Sequence, residues 1–139
     1  YYTLDAASGI GLSQQDIREL QLAKAAVAAG IQSLLEVQAL AYQDLAEVFL
    51  AGGFGTYINL DNAFRIGLFP EELRGKIRLA GNTAGAGACQ ALLCPEHYEE
   101  LAKLASKGDI KYLDLALYNR FQEIFLQSIN FPFSNGKDQ

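Results

Sequence analysis

The residues best placed to do chemistry in this sequence act through bare main chain more than through side chains. Two glycine-rich turns each follow a short apolar run. Glu47-Val48-Phe49-Leu50-Ala51 opens onto Gly52-Gly53-Phe54-Gly55, and Lys76 to Ala80 opens onto Gly81-Asn82-Thr83-Ala84-Gly85-Ala86-Gly87-Ala88. A strand that ends in glycines lets backbone amides approach a flat or phosphorylated ligand with no Cβ in between. The same glycines also suit a plain tight turn with close helix packing, and residues 47–55 alone leave both readings open. The small residues from Gly81 to Ala88 give the following helix a smooth face, fit for a hinge or for backbone-to-backbone packing. Neither stretch has the Gly-Lys-Ser/Thr of a Walker loop or the Gly-x-Gly-x-x-Gly order of a dinucleotide fold. A third candidate is Lys24, which falls inside an apolar helical stripe with Gln21 one turn earlier. Its amine either snorkels to water or faces a cleft and a ligand.

Other chemistries find little support. Cys89, Cys94 and His97 offer at most three ligands at an unsuitable spacing for zinc. His97 is the only imidazole, so no Ser/His/Asp arrangement can be assembled. Glu71-Glu72, Glu96 and Glu99-Glu100 read as solvated helix starts, where negative charge complements the helix dipole.

The elements that must position these residues follow from periodicity and turn chemistry. Tyr1 to Leu4 reads as a strand, and Asp5 to Gly11 as a loop bending at Ser8-Gly9. Ser13 and Asp16 form a capping-box start. In the long helix to Leu35, the residues Ile17, Leu20, Val27, Ile31 and Leu34 make the predicted inward stripe. After the break at Gln43-Asp44, residues 47–51 form a buried strand. Asn59 to Ile66 is a short helix capped at Asn59 or Asp61 and closed by a left-handed Gly67. A turn starts at Pro70, a second strand runs from Lys76 to Ala80, and a helix covers Cys89 to Leu93. Pro95 to Lys107 is an amphipathic helix with Leu101, Leu104 and Ala105 inward, ended by Gly108. Ile110 to Leu115 alternates as a strand or packed arm, Phe121, Ile124, Phe125 and Ile129 mark a last helix, and residues 134–139 read as a flexible tail. Alternating strands and helices predict an α/β layer with three or four strands, one face or edge of the sheet lacking its natural partner.

Composition narrows the class. The 139 residues are 50% hydrophobic and carry 11 Lys+Arg against 16 Asp+Glu, a net charge of −5. That suits one ordinary core, and scattered basic residues argue against nucleic acid as a partner. No apolar run approaches the roughly 18 to 20 residues of a membrane span, so the chain reads as soluble and cytoplasmic. Two cysteines make no disulfide framework, which fits a reducing compartment. With no Met and an abrupt Tyr1-Tyr2-Thr3-Leu4 opening, the expectation is a fragment or a processed chain.

Four segments taken in order carry a resemblance: Ser13-Gln14-Gln15-Asp16-Ile17 to Leu22-Ala23-Lys24, Val48 to Gly55, Ile66-Gly67-Leu68-Phe69-Pro70, and Gly81 to Ala88. Together with the closing Ile129-Asn130-Phe131-Pro132, this set resembles the C-terminal region of the reductive activators of corrinoid proteins. The resemblance runs over residues 1–133. It implies part of an actin-like, ribonuclease H-like ATPase domain, a small sheet packed by several helices. It implies ATP as cofactor, with Mg2+ in the intact protein, and a 2Fe-2S cluster in an N-terminal ferredoxin domain rather than in this stretch. Leu50-Ala51-Gly52-Gly53-Phe54 matches the adenosine motif, and Ala51, Gly52, Gly53, Phe54 and Gly55 would line adenine or ribose. Gly81, Asn82 and Thr83 match the following strand-to-helix junction, and Gln21 and Lys24 would face ATP. The implied partner is a corrinoid protein whose Co(II) is returned to Co(I), with a homodimer possible.

The departures are the absence of any Asp-x-Gly phosphate hairpin ahead of Gly52 and of a ferredoxin cysteine cluster. The stretch alone is therefore expected to bind ATP weakly and neither to hydrolyse it nor to pass electrons. Two other readings stay open: a non-catalytic interaction or dimerisation module, and another actin-like ATPase such as a dehydratase activator, which Cys89 and Cys94 do not recommend.

Overall fold

The computed structural model describes residues 1–106 and 112–132. Strand β1 (Tyr2–Asp5) and strand β2 (Ile10–Leu12) form an antiparallel hairpin. The predicted loop over Asp5 to Gly11 is thus partly strand. Gly9, at φ 69°, reverses the chain, while the Asp5 carboxylate accepts from Ala7 N at 3.0 Å and from the Ser8 hydroxyl. These local bonds hold the turn tight enough for Ile10 to pair back.

Helix α1 (Gln14–Gln38) starts as its sequence dictates. Asp16 N donates to Ser13 Oγ at 3.2 Å, and Ser13 N donates to the Asp16 carboxylate at 2.7 Å, which together satisfy two orphan amides of the first turn. Its buried face is not the predicted stripe. Lys24, Ala25, Ala29, Gly30, Ser33 and Leu35 are buried, whereas Leu20, Val27 and Leu34 remain 45%, 37% and 51% exposed. Small residues win that face because helix α6 (Phe121–Gln127) packs closely across it with Ile124 buried, and Leu115 sits 3.5 Å from where a Gly30 Cβ would lie. Close approach gains more dispersion contact than large side chains would permit here. The C-terminal end of α1 is tied down by Glu36, which accepts from Tyr118 Oη at 3.0 Å and from Arg120 Nη1 at 2.7 Å.

Strand β3 (Val48–Ala51) pairs in parallel with strand β4 (Ile77–Gly81), Val48 beside Ile77 and Leu50 beside Leu79. Between them in sequence come helices α2 (Gly53–Tyr57) and α3 (Leu60–Arg65). Asn59 caps α3 by accepting from Asn62 N at 2.9 Å, and Gly67 closes it at φ 71°, both as predicted. The core lies here. Ala63, Phe64, Leu68, Phe69, Leu73 and Ile77 form one buried cluster against which Val48 and Leu50 pack, with Phe64 edge-on to Phe69 at 6.0 Å. Arg74 covers Phe64 at 4.5 Å and bonds Asp61 and Glu71. The other face of β3 is open, Phe49 being 67% exposed.

Helix α4 (Thr83–Leu93) and helix α5 (Pro95–Ser106) follow β4. Sequence reading began α4 at Cys89. The structure begins it at Thr83, because Asn82 caps it and the small residues Ala84 to Ala88 are themselves helical. In α5, Leu101 and Leu104 are about half exposed rather than inward; among the described residues the helix packs mainly beside α4. Tyr112 to Leu115 form no strand; Gly108, Ile110 and Lys111, the Ala105 side chain and the tail over 134–139 lie outside the described residues. Among the described residues there are four strands, within the expected three or four, but as two two-stranded sheets rather than one.

Two outcomes test this packing. Ala29→Leu is expected to force α6 off α1 and cost about 1–3 kcal/mol in denaturant unfolding, against no loss if the seam is loose. The Ser13 N–H and hydroxyl hold the Asp16 carboxyl below its ordinary value of 3.8. A depressed carboxyl contributes stability above the unfolded value and loses it as pH falls through the lower folded value. Ser13→Ala, which removes the hydroxyl but keeps the N–H that lowers the carboxyl most, is expected to weaken that acid dependence in part, read as helix content by circular dichroism.

Candidate functional site

The site is assembled by the parallel pairing of β3 and β4. Each strand ends in a left-handed glycine and turns directly into a helix: Gly52, at φ 86°, precedes α2, and Gly81, at φ 64°, precedes Asn82 and α4. The two turns are tied edge to edge, Gly52 N donating to Gly81 O at 2.7 Å. A register shift between Leu50 and Ala51 sets Ala51 opposite Gly81. Positive φ at both positions favours glycine, since an L side chain there would be strained.

The space over the turns is bare. Among the described residues, and apart from its own neighbours in the chain, a Cβ built on Gly52, Gly53 or Gly81 would meet no atom within 4 Å. Ala51, Asn82 and Thr83 are exposed beside them. The glycine surface is therefore an accessible strip of main chain, not a pair of glycines walled in by neighbouring side chains. Thr56 Oγ1 donates back to Gly52 O at 3.3 Å, and Asn82 accepts from Gly85 N at 2.9 Å, so each turn is braced by its own helix. Gly55 is different. It is buried, and a Cβ there would lie 2.7 Å from Leu50 O, so this glycine seats α2 against β3 rather than facing outward. The Phe54 side chain lies outside the described residues.

Sequence reading placed Gln21 and Lys24 with these glycines; the structure sets Lys24 on a separate groove. Lys24 is only 2% exposed, so it does not snorkel to water. Its ammonium donates to the Asn130 carbonyl and lies 5.5 Å from the centre of the Phe131 ring. Burial pushes the amine below the ordinary lysine range. A groove of about 390 Å³ runs beside it, lined by Leu20, Val27, Ile58, Asn59, Ile66 and Leu68 among others, and Ala51, Gly52, Gly53 and Gly55 are not among its lining residues. Gln21 is half-buried one turn before it. Sequence reasoning missed Asn130 and Phe131 as the partners of Lys24; 106 positions separate donor from acceptor, and no local signal spans that distance. Among the described residues no three His, Cys, Asp or Glu side chains converge, and Cys89 and Cys94 are exposed thiols.

The mixed α/β fold and the paired glycine turns define an actin-like domain of the ASKHA class. The family described as the C-terminal domain of RACo, the ASKHA domain, matches residues 2–138, and the chain belongs to it. The chain is similar to the corrinoid activation enzyme RamQ of Eubacterium limosum, 37% identical over 120 residues, covering 86% of this chain and 20% of that protein. It is also similar to a [Co(II) methylated amine-specific corrinoid protein] reductase of Methanosarcina barkeri, 26% identical over 123 residues, covering 88% of this chain and 23% of that protein. Among solved structures, a reductive activator for corrinoid, iron-sulfur protein superposes with a TM-score of 0.79 at 31% identity, covering 96% of this chain and 22% of that one. The chain thus spans between 20% and 23% of the length of these proteins.

The two glycines of the first turn separate in mutagenesis. Gly55→Ala is expected to push α2 from β3 and cost about 1–3 kcal/mol, whereas Gly53→Ala is expected to stay within about 0.5 kcal/mol of the parent. Equal costs in denaturant unfolding would mean that both positions serve packing.

Proposed function

We propose that this chain is the nucleotide-binding C-terminal part of an ATP-dependent reductive activator, a protein that returns cobalt in a corrinoid protein from Co(II) to Co(I). The observation that carries the proposal is the bare strip at Gly52-Gly53, joined through Gly52 N and Gly81 O to the second turn. Such a strip fits a purine ring or ribose, because main chain without Cβ atoms can lie flush against a flat face. Ala51 to Phe54 would line the nucleoside, and Gly81, Asn82 and Thr83 would flank it. Gly55 would act from beneath, by holding α2 in place. Gln21 and Lys24 would contribute from α1, the latter only when its amine is free of Asn130.

ATP, with Mg2+ in the intact protein, supplies the free energy for a conformational change. Binding drives such a change only to the extent that the two conformations differ in affinity. Turns anchored on β3 and β4 can deliver that difference, since a shift of either strand moves both glycines at once. We assign residues 1–133 to this part of the ASKHA domain and 134–139 to its tail, and we place the 2Fe-2S cluster in another domain of the whole protein. The partner is a corrinoid protein, a second copy of the activator is a further candidate partner, and the setting is cytoplasmic. Relatives named for corrinoid activation and for reduction of a Co(II) corrinoid protein support this reading. The open face of β3 at Phe49 and the half-exposed Leu101 and Leu104 favour a second role, as an interaction surface for neighbouring domains.

Titration of the intact protein with a fluorescent ATP analogue tests the reading. Gly53→Val is expected to abolish binding without unfolding the protein, because a branched side chain would fill the space of the base. Lys24→Ala is expected to weaken binding less. Unchanged affinity in Gly53→Val would sink the adenosine assignment.

A further inference from the structure

We propose that residues 130–132 form a latch that competes with a bound anion for the Lys24 ammonium, so that a closed latch opposes nucleotide binding and an open one favours it. The proposal rests on the nucleotide reading above and adds to it a built-in competitor.

The latch is made of three consecutive contacts. The Asn130 carbonyl accepts from the Lys24 ammonium, the Phe131 ring lies 5.5 Å from the same nitrogen, and Pro132 sits over Gly67. The last contact depends on a missing side chain: at Gly67 a Cβ would come within 2.9 Å of Pro132 Cγ and 3.4 Å of Lys24 Nζ. The segment springs from the end of α6, where Ser128 Oγ donates to Ile124 O at 2.8 Å, and α6 itself is packed on α1. The base of the latch is therefore fixed, while Asn130 and Phe131 rest on one buried cation and Pro132 on Gly67.

That cation is under-compensated. A lysine ammonium carries three donors. Among the described residues it meets one neutral carbonyl and one ring face, with no acidic side chain paired to it. A buried charge is best satisfied by an opposite charge, which the neutral Asn130 carbonyl does not supply. Exchanging the Asn130 carbonyl for a phosphate oxygen would give the ammonium that opposite charge, and it requires residues 130–131 to give way. The location suits that exchange. The groove beside Lys24 reaches Ile58 and Asn59, the residues that directly follow α2, the helix that Gly53 begins. At 1.5 Å per residue that helix rises about 7.5 Å, less than the length of a nucleoside triphosphate.

A double-mutant cycle in the intact protein, read with a fluorescent ATP analogue, tests the latch. Phe131→Leu keeps apolar bulk but removes the ring face. It is expected to tighten binding roughly two- to fivefold, the factor equivalent to one ordinary cation–π contact withdrawn from the closed state. Lys24→Met is expected to weaken binding and to erase the effect of Phe131→Leu in the same chain. Backbone amides of residues 128–132 are expected to exchange faster once ATP is bound. The latch is overturned if ATP binds while Phe131→Leu leaves affinity unchanged, if its effect persists in Lys24→Met, or if exchange at 128–132 does not respond. Tripolyphosphate keeps this apart from the nucleotide assignment. Faster exchange at 128–132 with tripolyphosphate, in a protein that binds no ATP, would uphold the latch and overturn the adenosine site.

Discussion

One constraint organises the molecule: two short parallel strands must end at the same level, each in a glycine with positive φ. Parallel strands cannot be joined by a tight turn, so a crossover has to bring β4 back beside β3. Here α2, α3 and the turn through Leu73 make that crossover, and their apolar residues Phe64, Leu68, Phe69 and Leu73 become the core beneath the strands. The consequence is geometric. Packing the crossover fixes the register, the register sets Ala51 against Gly81, and the bond from Gly52 N to Gly81 O then places the two turns side by side.

The same reasoning explains why glycines that look alike in sequence do different work. Gly52 and Gly81 supply a backbone conformation, Gly53 supplies open space, and Gly55 supplies clearance under Leu50 O. Gly67 supplies both a left-handed helix end and a seat for Pro132. Bare main chain is an economical way to recognise a flat ligand, because it needs no ordered side chains and loses no rotamer freedom on binding. It is also unforgiving, since any Cβ in the wrong place removes the surface altogether.

Helix α1 supports the site from a distance. Its small-residue face draws α6 in closely, and α6 in turn delivers Asn130 to Lys24. A charged residue buried in an otherwise small and apolar seam is costly to desolvate. Its hydrogen bond to Asn130 joins the end of the described chain to α1. The chain belongs to the RACo C-terminal ASKHA family, spans 20% of the RamQ relative, and leaves open faces at Phe49 and along α5.

Local chemistry was legible in the sequence wherever a few neighbouring residues decide the outcome. Ser13 with Asp16, Asn59 before α3, Gly67 after it, and both strand-glycine junctions are set by caps and turn preferences acting over three or four residues. The ordered series of motifs likewise pointed to the family. What sequence could not decide was anything that depends on which surface meets which. The inward face of α1 went to Ala25, Ala29 and Gly30 rather than to its larger apolar residues because α6 chose the face that allowed close approach. Likewise α5 kept its leucines half exposed, and Lys24 found its acceptor more than a hundred residues away. Periodicity reports that a helix is amphipathic; only packing in three dimensions decides which side is covered, because dispersion and desolvation depend on atoms that sequence distance does not bring together.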